Sequence, residues 1–258
     1  MYKIFARIVH TPLNFINNLY PTKCVDPRIQ KFYFKTPKFE EQYNKLERLA
    51  SPSRKLSDLF WMNLDWAEIE NKLGEINICD LGCGTGKYYL KLQEYSENKI
   101  NQYVGFDIAE KPGWANFKAN YANVRFAKYD GRNILDLIPA NTSLIISQSA
   151  IEHFSEDLTI FKQLVDFAEN ATQNVFQIHL FPSKACLKLY PFHGIRQYTL
   201  RNISKITKLF PNAPEIKLYE LGGENAYKAH TQFINNGFFK EISEIKTKSC
   251  MSKFVTML

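Results

Sequence analysis

Residues Asp80 to Gly86 read Asp-Leu-Gly-Cys-Gly-Thr-Gly, an acid followed by three glycines at alternate positions. They end an apolar stretch, Ile76-Asn-Ile-Cys79, with the look of a buried strand. Glycine carries no Cβ and tolerates positive φ, so such a loop can press bare backbone against a ligand. A helix predicted from about Lys87 would aim its N-terminal amides at the same place. The chemistry on offer is therefore recognition of a polar, nucleotide-like molecule at a strand end. Two familiar patterns do not fit. In Gly-x-Gly-x-x-Gly the third glycine would fall at Lys87, and here it comes one residue early, at Gly86. No Gly-Lys-Ser/Thr closes the loop, as a nucleoside triphosphate cradle would need.

Acids recur at later strand ends. Gln102-Tyr-Val-Gly-Phe-Asp-Ile108 is a second apolar strand ending at Asp107, where a carboxylate can accept from ribose hydroxyls. Val124-Arg-Phe-Ala-Lys-Tyr-Asp-Gly131 ends at Asp130, and Thr142 to Gln148 is a further strand running into Ser149-Ala-Ile-Glu-His-Phe154. Each acid alone also reads as an ordinary turn aspartate. Their succession behind one glycine loop favours a shared site.

The string from Asp80 to Gly86, with these motifs following in order over roughly residues 75–181, resembles the class I S-adenosylmethionine-dependent methyltransferases. The resemblance implies S-adenosylmethionine as cofactor. It implies a cofactor site of Asp80, Gly82, Cys83, Gly84, Gly86, Asp107, Ile108, Asp130, Gly131 and Gln148, with Asp107 on the ribose and Asp130 or its neighbours beside the adenine. Members that act on small molecules carry a Glu-His pair where this chain has Glu152-His153. His153 is thus the candidate general base, set against a histidine that merely packs or caps. No Asp/Asn-Pro-Pro-Tyr run and no Pro-Cys pair follows the fourth strand, which argues against amino-nitrogen or pyrimidine-carbon acceptors.

A second concentration of polar and aromatic residues runs from His179 through Lys184 to Tyr190-Pro-Phe-His-Gly-Ile-Arg-Gln-Tyr198. Placed after the fifth strand, it would overhang the site, with His193 and Arg196 as candidate acceptor residues and Arg196 as a two-pronged anion contact. The alternative is a lid with Tyr190, Phe192 and Tyr198 buried. A sugar or surface-glycan precursor is the acceptor this favours. RNA or protein, or binding without catalysis, are the other readings.

These residues need a frame to hold them. Strands at 76–81, 102–107, 124–128, 142–148 and 173–181 alternate with helices at 87–97, 110–118, 133–137 and 156–170. That alternation predicts an α/β, Rossmann-like, doubly wound and mainly parallel sheet. A strand at 215–221, a helix at 225–235 ending near Gly237, and a strand near Phe254 would bring it to seven strands. Helices are expected at 40–50 and 57–73, and the first 36 residues read as irregular apart from an amphipathic turn at Ile4, Phe5, Ile8 and Val9. The division expected is a helical N-terminal extension over 1–74 and the Rossmann-like domain over 75–258, with an acceptor-side insert at about 182–212.

The chain has 258 residues, 45% of them hydrophobic, enough for such a core. Its five cysteines are scattered without a Cys-x-x-Cys pair, so neither a disulfide framework nor a metal site is expected. No signal peptide and no 18-residue apolar run is apparent, and a cytoplasmic setting fits. The net charge of +7 is uneven: residues 1–60 carry +6, 61–180 carry −6 and 181–258 carry +7. Basic flanks could meet a polyanion or a membrane surface, but a solvated lysine-rich face is favoured and nucleic acid is not. The acceptor's identity and the oligomeric state do not follow from the sequence.

Overall fold

The computed structural model describes residues 25–48, 50–183 and 194–231, together with positions 8, 9 and 12. In chain order the strands are β1 (Ile29–Tyr33), β2 (Ile76–Leu81), β3 (Ile100–Asp107), β4 (Val124–Lys128), β5 (Leu144–Gln148), β6 (Phe176–Leu180) and β7 (Ile216–Glu220). The helices are α1 (Phe39–Asn44), α2 (Pro52–Met62), α3 (Trp66–Leu73), α4 (Tyr88–Tyr95), α5 (Trp114–Asn120), α6 (Asp157–Asn170), α7 (Leu200–Thr207) and α8 (Glu224–Ala229). The chain divides into two compact units, residues 1–26 with 65–213 and residues 27–64 with 214–258.

The first unit holds a five-stranded sheet in the order β4-β3-β2-β5-β6, parallel throughout. Central β2 is buried at all six positions, as a strand covered on both faces must be. The chain adds β3 and β4 on one side of β2, then returns to place β5 and β6 on the other. This reversal leaves a crevice at the carboxyl ends of β2 and β5, where open parallel sheets take their ligands. Helix α6 turns Ile160, Phe161, Leu164 and Phe167 to a core that includes Leu81, Phe106 and Ile145. The Ser204 hydroxyl of α7 accepts from the Asp26 amide at 2.9 Å, and Thr207 donates to the Asp26 carboxylate at 2.8 Å.

The second unit contains a two-stranded parallel sheet of β1 and β7, with Ile29 opposite Ile216 and Phe32 opposite Tyr219. Aromatic contacts join these strands to α2: Phe32 stacks on Tyr219 at 5.3 Å, and Phe60 meets Tyr219 at 5.8 Å and Phe34 at 5.9 Å.

Two differences from expectation have physical reasons. The strand at 215–221 does not extend the main sheet but pairs with β1, in a region that reads as irregular. The sequence Ile29-Gln-Lys-Phe-Tyr33 is short and half polar, and only its parallel partner 187 positions away makes it a strand. The single helix expected over 57–73 is two. Asn63 ends α2 by donating its side-chain Nδ2 to the Leu59 carbonyl at 2.7 Å, and the Asp65 side chain caps α3 by accepting from the Glu68 backbone amide at 2.8 Å. The terminal strand near Phe254 and the stop at Gly237 lie outside the described residues.

Candidate cofactor and acceptor site

The glycine loop turns tightly over the end of β2. The amides of Gly82 and Cys83 both donate to the Phe106 carbonyl, at 2.8 and 2.9 Å, and that of Gly86 donates to the Cys83 carbonyl at 3.0 Å. Gly82, Gly84 and Gly86 have φ of 79°, 57° and 78°, in the left-handed region that disfavours a side chain. Their surroundings differ. A Cβ on Gly82 would lie 2.4 Å from that of Ala150, and one on Gly86 would lie 2.3 Å from the Phe126 ring. A Cβ on Gly84 would meet nothing within 4 Å among the described residues. The outer glycines are thus demanded by packing, and the crest at Gly84 presents bare main chain to open space. Gly82→Ala combines left-handed strain with a backbone-adjacent clash, and it should destabilise the protein by about 2–4 kcal/mol. Chemical denaturation would measure this, and a variant as stable as wild type would contradict the packing argument.

Asp107, at the tip of β3, anchors that crest. Its Oδ2 accepts from the Gly84 amide at 3.0 Å, and its Oδ1 accepts from the Ala109 amide at 3.2 Å and lies 3.2 Å from Lys111 Nζ. Trp114 closes the other side: its indole donates to the Gly84 carbonyl at 2.9 Å while the ring stacks on Phe126 at 5.1 Å. Neither Trp114 nor Lys111 has a sequence signal, because α5 comes to the loop only through the fold.

Asp80 stands behind the loop rather than on its rim. It is 3% exposed and accepts from the Tyr103 hydroxyl at 2.5 Å. Burial pushes its carboxyl up to about 7, against the Tyr103 hydrogen bond, and the charge of Asp107 adds to the rise. A folded-state value above the unfolded one favours the protonated acid, so its stabilisation is complete at low pH. It is lost as pH rises from about 4 to about 7. Unfolding across that window should show a decline in stability that Asp80→Asn flattens; an equally steep decline in the variant would contradict this. Burial likewise raises the thiols of Cys79 and Cys83, which are free.

Asp130 is committed to its own turn. Its Oδ1 accepts from the amides of Asn133 and Arg132, both at 2.8 Å, and its Oδ2 accepts from the Asn133 side chain at 2.9 Å. Those bonds, the Asn133 amide first, hold its carboxyl below the usual range. Beside it, Gly131 has φ of 83°, and a Cβ there would sit 3.5 Å from Ile108, itself 56% exposed. Ile108 and Gly131 so form an apolar ledge at the tips of β3 and β4.

Across the crevice, Gln148 ends β5 half-buried, and Ser149 follows with φ of 51°, unusual for a side-chain-bearing residue. This strained corner sends Ala150 against Gly82 and starts the short 3₁₀ turn Ile151–His153. The His153 side chain is 43% exposed, with Nε2 3.8 Å from Oε1 of the wholly buried Glu152.

Arg196 does not present a free fork to an anion. Its guanidinium donates to the carbonyls of Phe154 at 2.7 Å and Ser155 at 2.9 Å, and it pairs with Asp157 at 2.6 Å. The Tyr198 hydroxyl donates to the other Asp157 oxygen at 2.8 Å, and the amides of Ile195 and Arg196 reach the Glu152 carbonyl at 2.7 and 3.3 Å. The segment 194–198 therefore straps the turn that carries His153. Tyr198 is buried, whereas Lys184, Tyr190, Phe192 and His193 lie outside the described residues. His179, pushed down to about 4 by burial, shares a 2.8 Å hydrogen bond with the Ser147 hydroxyl. Among the described residues no group of three or more His, Cys, Asp or Glu gathers as a metal would require. None of their helices is long and apolar enough to cross a membrane.

These residues suit S-adenosylmethionine, on two observations: the open crest at Gly84 and the carboxylate beside it. Gly84, Asp107, the Ile108–Gly131 ledge and Gln148 would hold it. Residues 78–170, just over a third of the chain, match the family described as "Methyltransferase domain". No curated protein sequence matches the chain. Among solved structures, it is similar to the YcgJ protein of Bacillus subtilis at 16% identity and a TM-score of 0.39, over 55% of this chain and 64% of that one. It is similar to an S-adenosylmethionine-dependent methyltransferase of Mesorhizobium loti at 19% identity and a TM-score of 0.31, over 46% and 48%. The chain thus spans less than two thirds of the length of either. The segment from Ile78 to Asn170 thus matches a methyltransferase domain, and S-adenosylmethionine is the cofactor that this match supports.

Proposed function

We propose that this protein transfers a methyl group from S-adenosylmethionine to an oxygen of a small polar acceptor, a sugar or surface-glycan precursor. The observation that carries the reading is the meeting of Ala150 with Gly82, which brings the turn bearing His153 over the first glycine of the cofactor loop.

The cofactor, when bound, supplies an electrophilic methyl on a sulfonium, so the transfer needs no metal. The chain's own work is alignment and proton removal. Gly84 and Asp107 fix the donor end. His153, half-exposed at the crevice, takes the proton from an acceptor hydroxyl as its oxygen approaches the methyl. Glu152, buried beside the imidazole with Oε1 3.8 Å from Nε2, helps to position the ring. Arg196 acts at one remove, holding the backbone of 154–155 in place through its paired carbonyls.

Residues 61–180 carry a net charge of −6, which disfavours a polyanion at the loop and favours a compact acceptor over RNA. The test is to incubate the protein with methyl-labelled cofactor and separate pools of sugars and nucleotide sugars, RNA and protein. Label in the sugar pool is expected. Label confined to RNA or protein would overturn the acceptor assignment.

A further inference from the structure

Gly84 is held at both of its backbone polar groups. Its amide donates to the Asp107 carboxylate at 3.0 Å, and its carbonyl accepts from the Trp114 indole at 2.9 Å. Cys83 Sγ lies 3.7 Å from the same carbonyl, but a thiol is a weak donor. A glycine at φ of 57°, with open space where its Cβ would be, has no side chain to fix the peptides around it. Two side chains from the stretch 107–114 do that instead.

Trp114 is itself firmly placed. It opens α5, is 2% exposed, and stacks on Phe126 at 5.1 Å with 11° between the ring planes. Phe126 fills the place of a Gly86 Cβ and meets Phe117 at 5.7 Å and Tyr103 at 6.0 Å, edge to face in both cases. Just ahead of Trp114, a Cβ on Gly113 would sit 3.6 Å from the Thr85 carbonyl, so the start of α5 lies against the loop. Packing thus sets the indole, and the indole sets the carbonyl. Phenylalanine could stack on Phe126 as well, so stacking does not call for tryptophan. The N–H does, and a buried indole spends it on a partner.

We propose that Trp114 is a positioning residue for the cofactor, holding the Gly84 peptide in its receiving orientation before the ligand arrives. It acts through the loop and touches no part of the ligand. Ordering a loop during binding costs affinity, and a crest fixed beforehand avoids that cost. The inference rests on the S-adenosylmethionine assignment above.

The experiment is calorimetric titration of the full chain, of Trp114→Phe and of Phe117→Leu with S-adenosylhomocysteine, with urea unfolding of each ligand-free protein alongside. Trp114→Phe keeps a ring against Phe126 and loses the donor. It should bind about tenfold more weakly, as loss of one hydrogen bond implies. Phe117→Leu loosens the same aromatic cluster and leaves the indole bond intact. It should unfold at lower urea yet bind within about twofold of wild type. Unchanged affinity in Trp114→Phe would overturn the proposal. So would an equal loss in Phe117→Leu, which would make the effect one of packing alone. Hydrogen exchange of the Trp114 indole N–H in the ligand-free wild type needs no variant. It should be slow, and exchange as fast as that of a free indole would show that the bond does not stand before binding and would overturn the proposal equally. Wild-type protein that does not bind S-adenosylhomocysteine would instead refute the cofactor assignment, and the proposal with it.

Discussion

Asp107→Ala should weaken S-adenosylmethionine binding by about a hundredfold or more. Two losses combine. On the proposed reading the carboxylate at the tip of β3 accepts from the ribose hydroxyls, and a hydrogen bond to a charged group is worth about 1.5–3 kcal/mol. The same carboxylate holds the Gly84 amide at 3.0 Å, so removing it also frees the crest of the loop. Lys111, 3.2 Å from the carboxylate, would then stand as an uncompensated cation beside a sulfonium ligand. Asp107→Asn separates the contributions, because it keeps a carbonyl acceptor for the Gly84 amide while losing the charge. It should fall between wild type and alanine. Titration calorimetry on the three proteins checks the order, and an alanine variant that binds as tightly as wild type would remove Asp107 from the site.

His153→Ala should lower turnover by about two to four orders of magnitude while leaving cofactor affinity within about twofold. The split follows from position. On the proposed reading the side chain, past β5, faces the acceptor, and Nε2 lies 3.8 Å from the Glu152 carboxylate. His153→Gln, which can hydrogen-bond but cannot take a proton, should resemble alanine in turnover. Should either variant turn over at the wild-type rate, His153 would be a packing residue. A parallel fall in cofactor affinity would move it to the cofactor site.

What the sequence made legible is what is local. The glycine loop, the acid at 107 and the five alternating strands follow from short-range patterns, and they stand where those patterns put them. The residues that finish the site depend on the fold. Trp114 is 30 positions from the carbonyl it holds, and α5 has no pattern that points to Gly84. Arg196 reads as an anion fork because its neighbours are polar and aromatic. Its partners, the carbonyls of 154 and 155 and Asp157, come from another element 40 positions away. A backbone carbonyl gives no sign in a sequence that it will need a guanidinium. β1 escaped for a related reason, since its five residues carry too little apolar alternation to mark a strand until β7 lies alongside. Asp80 is the converse case. Its place in the motif suggests a ligand contact, whereas the Tyr103 hydroxyl takes it inward.

The central claim is that the open main chain at Gly84, with Asp107 beside it, receives S-adenosylmethionine. The most direct measurement is calorimetric titration of the purified protein with that molecule, run beside NAD and ATP. Saturable binding of one equivalent per chain, absent with the other two nucleotides and lost in Gly84→Arg, is the predicted result. A flat titration, or one in which NAD or ATP binds in its place, would contradict the account.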